Sequence, residues 1–185
     1  MVSTLTSMQS YENITVTFPI VEDDNYLTNP ENLLLNGYLA EGEDDEFTNW
    51  GKYNGGDRMT ATDDALIGSR AMKVSNDAAG NPWDAQFVSD AVATTVDAEY
   101  TISFWGKGSG QVVRFSTKPD ATAKYGPDFT LTSDWVQYSW TITANEPMTN
   151  VSLDMGASMG TFVIDVIEVV PGSSALPLPS NDSLI

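Results

Sequence analysis

Cysteine and histidine are both absent from the 185 residues. Without cysteine there are no disulfides and no thiolate metal ligands. Without histidine the usual general base at neutral pH is missing, together with the commonest transition-metal ligand. A Ser/His/Asp or Cys/His catalytic arrangement is therefore excluded. Basic residues are scarce: eight Lys and Arg face 26 Asp and Glu, for a formal charge of −18. Nucleic acid would need a basic footprint to neutralise its phosphates, and no Lys/Arg cluster exists. An anionic membrane surface would repel the chain for the same reason. Neither nucleic acid nor membrane is expected as a partner; a neutral one is. No apolar run approaches the ~20 residues of a transmembrane helix. Met1-Val2-Ser3-Thr4 does not open the charged-then-apolar pattern of a signal peptide. No glycine-rich phosphate loop occurs.

What is present suits one globular domain. Hydrophobic residues make up 41% of the chain and aromatics 10%, enough for a real core, so disorder is not expected in the middle of the chain. Residues 1–29 are polar and acidic, with one strand-like run, Ile14–Phe18, stopped by Pro19. They read as an N-terminal linker or a peripheral strand. Residues 30–171 form the expected folded module. From Pro171 onward the Pro, Gly and Ser content marks 172–185 as a C-terminal linker.

Inside the module, short runs alternate large apolar with small polar residues. Tyr100–Phe104, Val113–Ser116, Val136–Ile142 and Val151–Met155 all do so, and Phe162–Ile167 is almost continuously apolar. Leu33–Leu35, Ala71–Val74 and Ala85–Val88 complete the strand set. Period-two runs broken by Gly, Asn, Asp and Pro predict an all-β, two-sheet antiparallel sandwich. Alternation points Ile102, Phe104, Val113, Phe115, Tyr138, Trp140, Leu153 and Met155 inward. The outward set is then Thr101, Ser103, Arg114, Ser116, Gln137, Ser139, Ser152, Asp154 and Gln86. That face is rich in small hydroxyls with a few long hydrogen-bonding side chains. It suits a ligand bearing many hydroxyls, or it is an ordinary polar exterior.

The order of these patterns resembles the family 4/9/22 group of carbohydrate-binding modules, found beside catalytic domains in bacterial xylanases and glucanases. The resemblance rests on Asn32-Leu33-Leu34-Leu35-Asn36-Gly37 with Trp50, Gly68–Val74, Asn81-Pro82-Trp83-Asp84-Ala85-Gln86, Tyr100–Lys107, Asp134–Tyr138 and Thr161–Val166, and spans nearly all of residues 30–171. It implies a jelly-roll-type sandwich whose sheet forms a groove for an internal stretch of xylan or a related β-linked polysaccharide. It implies a non-catalytic module attached to a secreted or cell-surface glycoside hydrolase such as an endo-xylanase. A β-glucan ligand is the second expectation, and a structural or adhesion sandwich without a sugar site the competing class.

The resemblance puts Trp83 at an aromatic platform, Gln86 and Asp154 in the groove, and Tyr125-Gly126 in a loop that walls it; Arg114 is placed by alternation. Each residue has a plainer reading. Trp83 plugs an end of the sandwich, Tyr125 anchors its own loop, and Gln86 and Asp154 are solvated strand residues. Arg114 bonds a sugar or neutralises Asp154, and the two roles are compatible. Trp50, Trp135 and Trp140 are expected in the core, and the acid run Glu41–Glu46 in a solvated loop. A structural calcium, held in the family by Asp165 with two further acids, is left open, because Ala40 and Ile67 stand where those acids would be; Asp63, Asp64 or Glu41 could substitute. Glycoside hydrolysis needs two carboxyl groups flanking the bond, one with a raised pKa. Asp165 is the nearest candidate, and no catalysis is expected.

Overall fold

A computed structural model describes residues 29–179. The run Ile14–Phe18 lies outside the described residues. Eleven strands occur among those described: β1 Trp50–Asn54, β2 Met59–Thr62, β3 Ala71–Asn76, β4 Gln86–Ser89, β5 Val92–Ala93 and β6 Glu99–Lys107, then β7 Val112–Lys118, β8 Tyr125–Thr130, β9 Val136–Thr143, β10 Met148–Asp154 and β11 Gly160–Pro171. They form two antiparallel sheets. The front sheet runs β1-β4-β10-β7-β8, with β5 added on β10; the back sheet runs β2-β3-β11-β6-β9. The chain is thus the all-β sandwich that its alternating runs call for.

The core lies between the sheets, as the inward set requires. Phe87, Val113, Phe115, Leu153 and Met155 meet Met72, Ile102, Phe104 and Ile164, all removed from solvent. Trp50 stacks on Phe87 at 4.6 Å, and Phe104 meets Phe115 edge-on at 5.3 Å. Tyr138 and Trp140 are half-buried and packed against this core. Trp135 is not part of it: the Lys107 ammonium covers its ring at 4.8 Å on the surface.

Parity changes once within β11. Asp165 pairs with Trp105 but Glu168 with Ser103, so one extra residue is accommodated, and Val166 takes φ 47°. This bulge moves the inward set from Phe162 and Ile164 to Ile167 and Val169, and explains the apolar continuity of the run. Leu33–Leu35 is not the opening strand that its composition suggests; the segment turns across the bulge. Asn32 accounts for this. Its Oδ1 accepts the Val169 N–H at 2.9 Å and its Nδ2 donates to the Ile167 carbonyl at 3.1 Å, so a side chain replaces the ladder. The Ile167 N–H in turn donates to the Gly37 carbonyl at 2.7 Å, an approach a side chain at Gly37 would block.

The outward set divides between two surfaces. Gln86, Arg114, Ser116, Ser152 and Asp154 belong to the front sheet; Thr101, Ser103, Gln137 and Ser139 belong to the back sheet. Alternation tells in from out but not which sheet a strand joins. Thr101 and Ser103 are buried, and so are Gln86, Ser116, Ser152 and Asp154, which are therefore not solvated strand residues. Residues just past β11 attach to this back surface: Thr101 Oγ1 donates to the Gly172 carbonyl and Gln137 Nε2 to that of Leu176, at 2.8 and 2.7 Å. The segment expected to be linker is therefore held to the body through Leu176.

Candidate functional site

The turn before β4 presents Trp83. Asn81-Pro82-Trp83-Asp84 closes a single 3-10 turn in which the Asp84 carboxylate accepts the Asn81 N–H at 2.8 Å. Proline suits this first helical position, where no N–H donor is needed. The turn sits against the end of β10 through Gly80 N–H to the Gly156 carbonyl and Gly156 N–H to the Pro82 carbonyl, at 2.9 and 2.8 Å. Gly156 must be glycine: a Cβ there would stand 2.4 Å from the Asn81 carbonyl oxygen. Held in this way, Trp83 keeps half its surface in solvent and does not plug the sandwich.

The floor is a row of cross-strand partners. Asn54 on β1 pairs with Gln86 on β4, Gln86 with Asp154 on β10, and Asp154 with Arg114 on β7. Asp154 is 1% exposed and accepts four bonds: Gln86 Nε2 at 2.8 Å, Ser116 Oγ at 3.1 Å and Ser152 Oγ at 3.2 Å on Oδ1, and Arg114 Nη2 at 3.1 Å on Oδ2. Arg114 thus neutralises Asp154, the second of its two sequence readings.

Tyr125 forms the other wall. It opens β8, where a loop was expected, opposite Ser116 in the register with β7. Gly126 lets this strand pass over Trp140, whose ring carbon would be 3.0 Å from an added Cβ. The Tyr125 ring is 61% exposed, and the Arg114 guanidinium lies over it at 5.2 Å. Trp83, Gln86, Tyr125 and Asp154 line one cleft of about 280 Å³, together with Asn54, Ser116, Thr117, Lys118 and Asp120. With Arg114 bonded beneath it, all five residues singled out from the sequence are brought together. The two rings flank the β10–β7 floor, Trp83 from the turn before β4 and Tyr125 from β8.

The sequence reading missed Asn54, Tyr53 and Lys118. Asn54 Nδ2 donates to the Trp83 carbonyl at 2.9 Å and to Gln86 Oε1 at 3.3 Å. Its strand, Trp50–Asn54, contains Gly51, runs into Gly55-Gly56 and shows little alternation, so no periodic signal marked it. Tyr53 is 72% exposed and lines an adjoining cleft with Gly51, Val88, Asp90 and Asn150. Lys118, paired with Asp120, belongs to both clefts; for Tyr53, a ring three residues from Trp50 and beside Asn54-Gly55-Gly56 was the available signal.

Asp165 does not fit a calcium. Its Oδ2 accepts the N–H groups of Leu66 and Ile67 at 2.8 and 3.2 Å, and its Oδ1 that of Val166 at 2.8 Å. These oxygens face donors, whereas a calcium would need them free and joined by further oxygens. Asp64, one suggested substitute, is turned to Lys107. No group of three or more acids that could hold a metal occurs among the described residues. Burial raises the Asp165 pKa from 3.8 to about 6, against the lowering effect of the three amides. Glu168 is likewise raised by burial, and accepts the Tyr38 hydroxyl at 2.8 Å, which itself accepts the Asn29 N–H. Asp165, the acid the sequence singled out as the nearest catalytic candidate, and Glu168, which it did not single out, are both buried. Both lie on the outer side of the back sheet, and neither lines the cleft.

A sandwich with two exposed rings over an amide and hydroxyl floor is a ligand-binding β-sandwich. Residues 31–156 match the family model for the carbohydrate binding domain (CBM_4_9). The chain belongs to this family of carbohydrate-binding modules. No curated protein matches it significantly. Among solved structures it is similar to a CBM4 module, at TM-score 0.57 and 19% identity over 75% of this chain and 99% of that one. A CBM61 module, TmCBM61, in complex with β-1,4-galactotriose superimposes at TM-score 0.56 and 16% identity, over 76% and 99% of the two chains. The CBM22-1 xylan-binding domain from Paenibacillus barcinonensis Xyn10C does so at 0.54 and 13%, over 75% and 93%. At these identities the likeness is one of fold.

Proposed function

We propose that the front-sheet cleft binds an internal stretch of xylan and that the module directs an attached glycoside hydrolase, outside the cell, to that polymer. The observation that carries this reading is the pair of exposed rings, Trp83 and Tyr125, lining one cleft on either side of a hydrogen-bonding floor. Aromatic faces supply apolar area for the CH-rich side of a pyranose at small entropic cost. Gln86 keeps one Nε2 hydrogen and Asn54 its Oδ1 for sugar hydroxyls. The cleft lies on the outer face of the front sheet and adjoins the one lined by Tyr53, so a polymer has room to continue beyond it. A neutral polymer is also indifferent to the field of a −18 protein. The module itself has no catalytic task in this reading: Asp165 and Glu168 are away from the cleft, and Asp154, in its floor, is bonded to Arg114. It acts by raising the local concentration of the tethered hydrolase at its substrate.

The second ligand is mixed-linkage β-glucan, whose glucose units differ from xylose by one hydroxymethyl group and would meet the same rings and floor. Affinity electrophoresis against soluble xylan, mixed-linkage β-glucan and a galactan tests the reading. Retardation greatest in xylan is the expected result. Equal mobility in every gel would leave a structural sandwich as the remaining account.

A further inference from the structure

Asp154 lies in the cleft floor yet is closed off from a ligand, being 1% exposed. Of the about four lone-pair sites of an ionised carboxylate, Oδ1 takes Gln86, Ser116 and Ser152 and Oδ2 takes Arg114, so most of its acceptor capacity is committed within the protein. What it holds is more telling than what it could bind.

Two of its donors lead to the two walls. Through Gln86 the path runs to Asn54, which donates to Gln86 Oε1 and to the carbonyl of Trp83 itself. Through Arg114 it runs to the face of Tyr125. Arg114 Nε is buried without a hydrogen-bond partner, so the guanidinium is placed by Asp154 and by the ring. Asn54, Gln86, Asp154 and Arg114 are consecutive partners in one row across β1, β4, β10 and β7. The Ser116 and Ser152 hydroxyls close on Asp154 from the neighbouring row, where Ser152 pairs with Ser116.

We propose that Asp154 is a positioning residue: it fixes the Gln86 amide and the Arg114 guanidinium so that one row of side chains joins the Trp83 turn to the Tyr125 ring and sets the spacing of the two aromatic walls for the sugar chain. This rests on the glycan-binding reading of the cleft. An acid that instead accepts a sugar hydroxyl directly would affect binding without altering Trp83 in the free protein. Positioning affects both.

The test labels the protein with 5-fluorotryptophan and records 19F spectra without ligand, the Trp83 signal being identified by its loss in Trp83→Phe. In Asp154→Asn the Trp83 signal moves or splits, and affinity for xylohexaose falls about tenfold, equivalent to about 1.4 kcal/mol. Asn54→Ala cuts the same row at an exposed edge, away from the buried charge, and moves the Trp83 signal in the same way. It serves where Asp154→Asn does not fold. An unmoved Trp83 signal in the folded variants overturns the proposal, and so does an undiminished affinity of Asp154→Asn. Failure of the underlying reading looks different: wild-type protein then binds neither xylohexaose nor a β-glucan oligosaccharide.

Discussion

Arg114 Nη2 lies 3.1 Å from Asp154 Oδ2, and among the described ion pairs this one alone has its acid shut off from solvent. Exposed pairs contribute little, but removing one partner of a buried pair strands a charge. Arg114→Met should therefore lower unfolding free energy by about 3 kcal/mol, read from urea denaturation. Arg114→Lys should recover most of that stability, because the charge is restored, while leaving sugar affinity low, because an ammonium lacks the planar face that lies over Tyr125. Equal stability of wild type and Arg114→Met would contradict the assignment.

Gly156→Ala places a methyl group 2.4 Å from the Asn81 carbonyl oxygen and 3.0 Å from the Ala85 nitrogen, both backbone atoms that cannot swing away. The Trp83 turn must move. The melting temperature should fall by several degrees, as a loss on the order of 1–2 kcal/mol gives, and sugar affinity should fall with it. Differential scanning calorimetry with a xylohexaose titration reads both.

Asp165 has a stability signature with a definite sign. Its carboxyl is raised by burial from 3.8 to about 6, so between those values the folded chain binds more protons than the unfolded one. Its contribution is then fully present below about pH 4 and is lost as pH rises through about 6. A shift of this size is worth about 3 kcal/mol. The remaining acids add their own pH dependence, so the readout is a difference. Unfolding free energy of wild type minus that of Asp165→Asn should decline by about this amount from pH 4 to pH 7. A flat difference would show that burial does not bias this group.

Calcium should leave the protein unmoved. The three amides on Asp165 occupy the oxygens a cation would need. A ligand that binds only the folded state raises the melting temperature by mass action. Equal melting temperatures in EDTA and in millimolar calcium are expected. A calcium-dependent rise of several degrees would mean that the 65–67 loop opens to a metal.

Much of this was legible in the amino-acid sequence, because alternation and burial are the same fact in a sandwich. Phe104, Phe115 and Leu153 are inward for the reason their neighbours are polar. Trp83 and Tyr125 stood out because each large ring is beside turn-forming residues. The rest depended on pairing. Nothing local distinguishes Ser103 on β6 from Ser116 on β7, yet one is covered on the back sheet and the other lies in the cleft. Asn54 acts through register alone. Leu33–Leu35 misled because the ladder it would have joined is supplied by the Asn32 side chain, a long-range bond to β11 that composition does not announce. Tyr125 turned out to begin a strand despite Gly126-Pro127, since Pro127 falls in an edge strand, where a missing donor is tolerated.

The central claim is that Trp83 and Tyr125 together hold a sugar chain over the Gln86–Asp154 floor. Isothermal titration of xylohexaose into wild type, Trp83→Ala and Tyr125→Ala measures this directly. Each substitution removes an exposed ring and should cost at least about tenfold in affinity, with the melting temperature nearly unchanged. Wild-type binding in both substituted proteins would contradict the account.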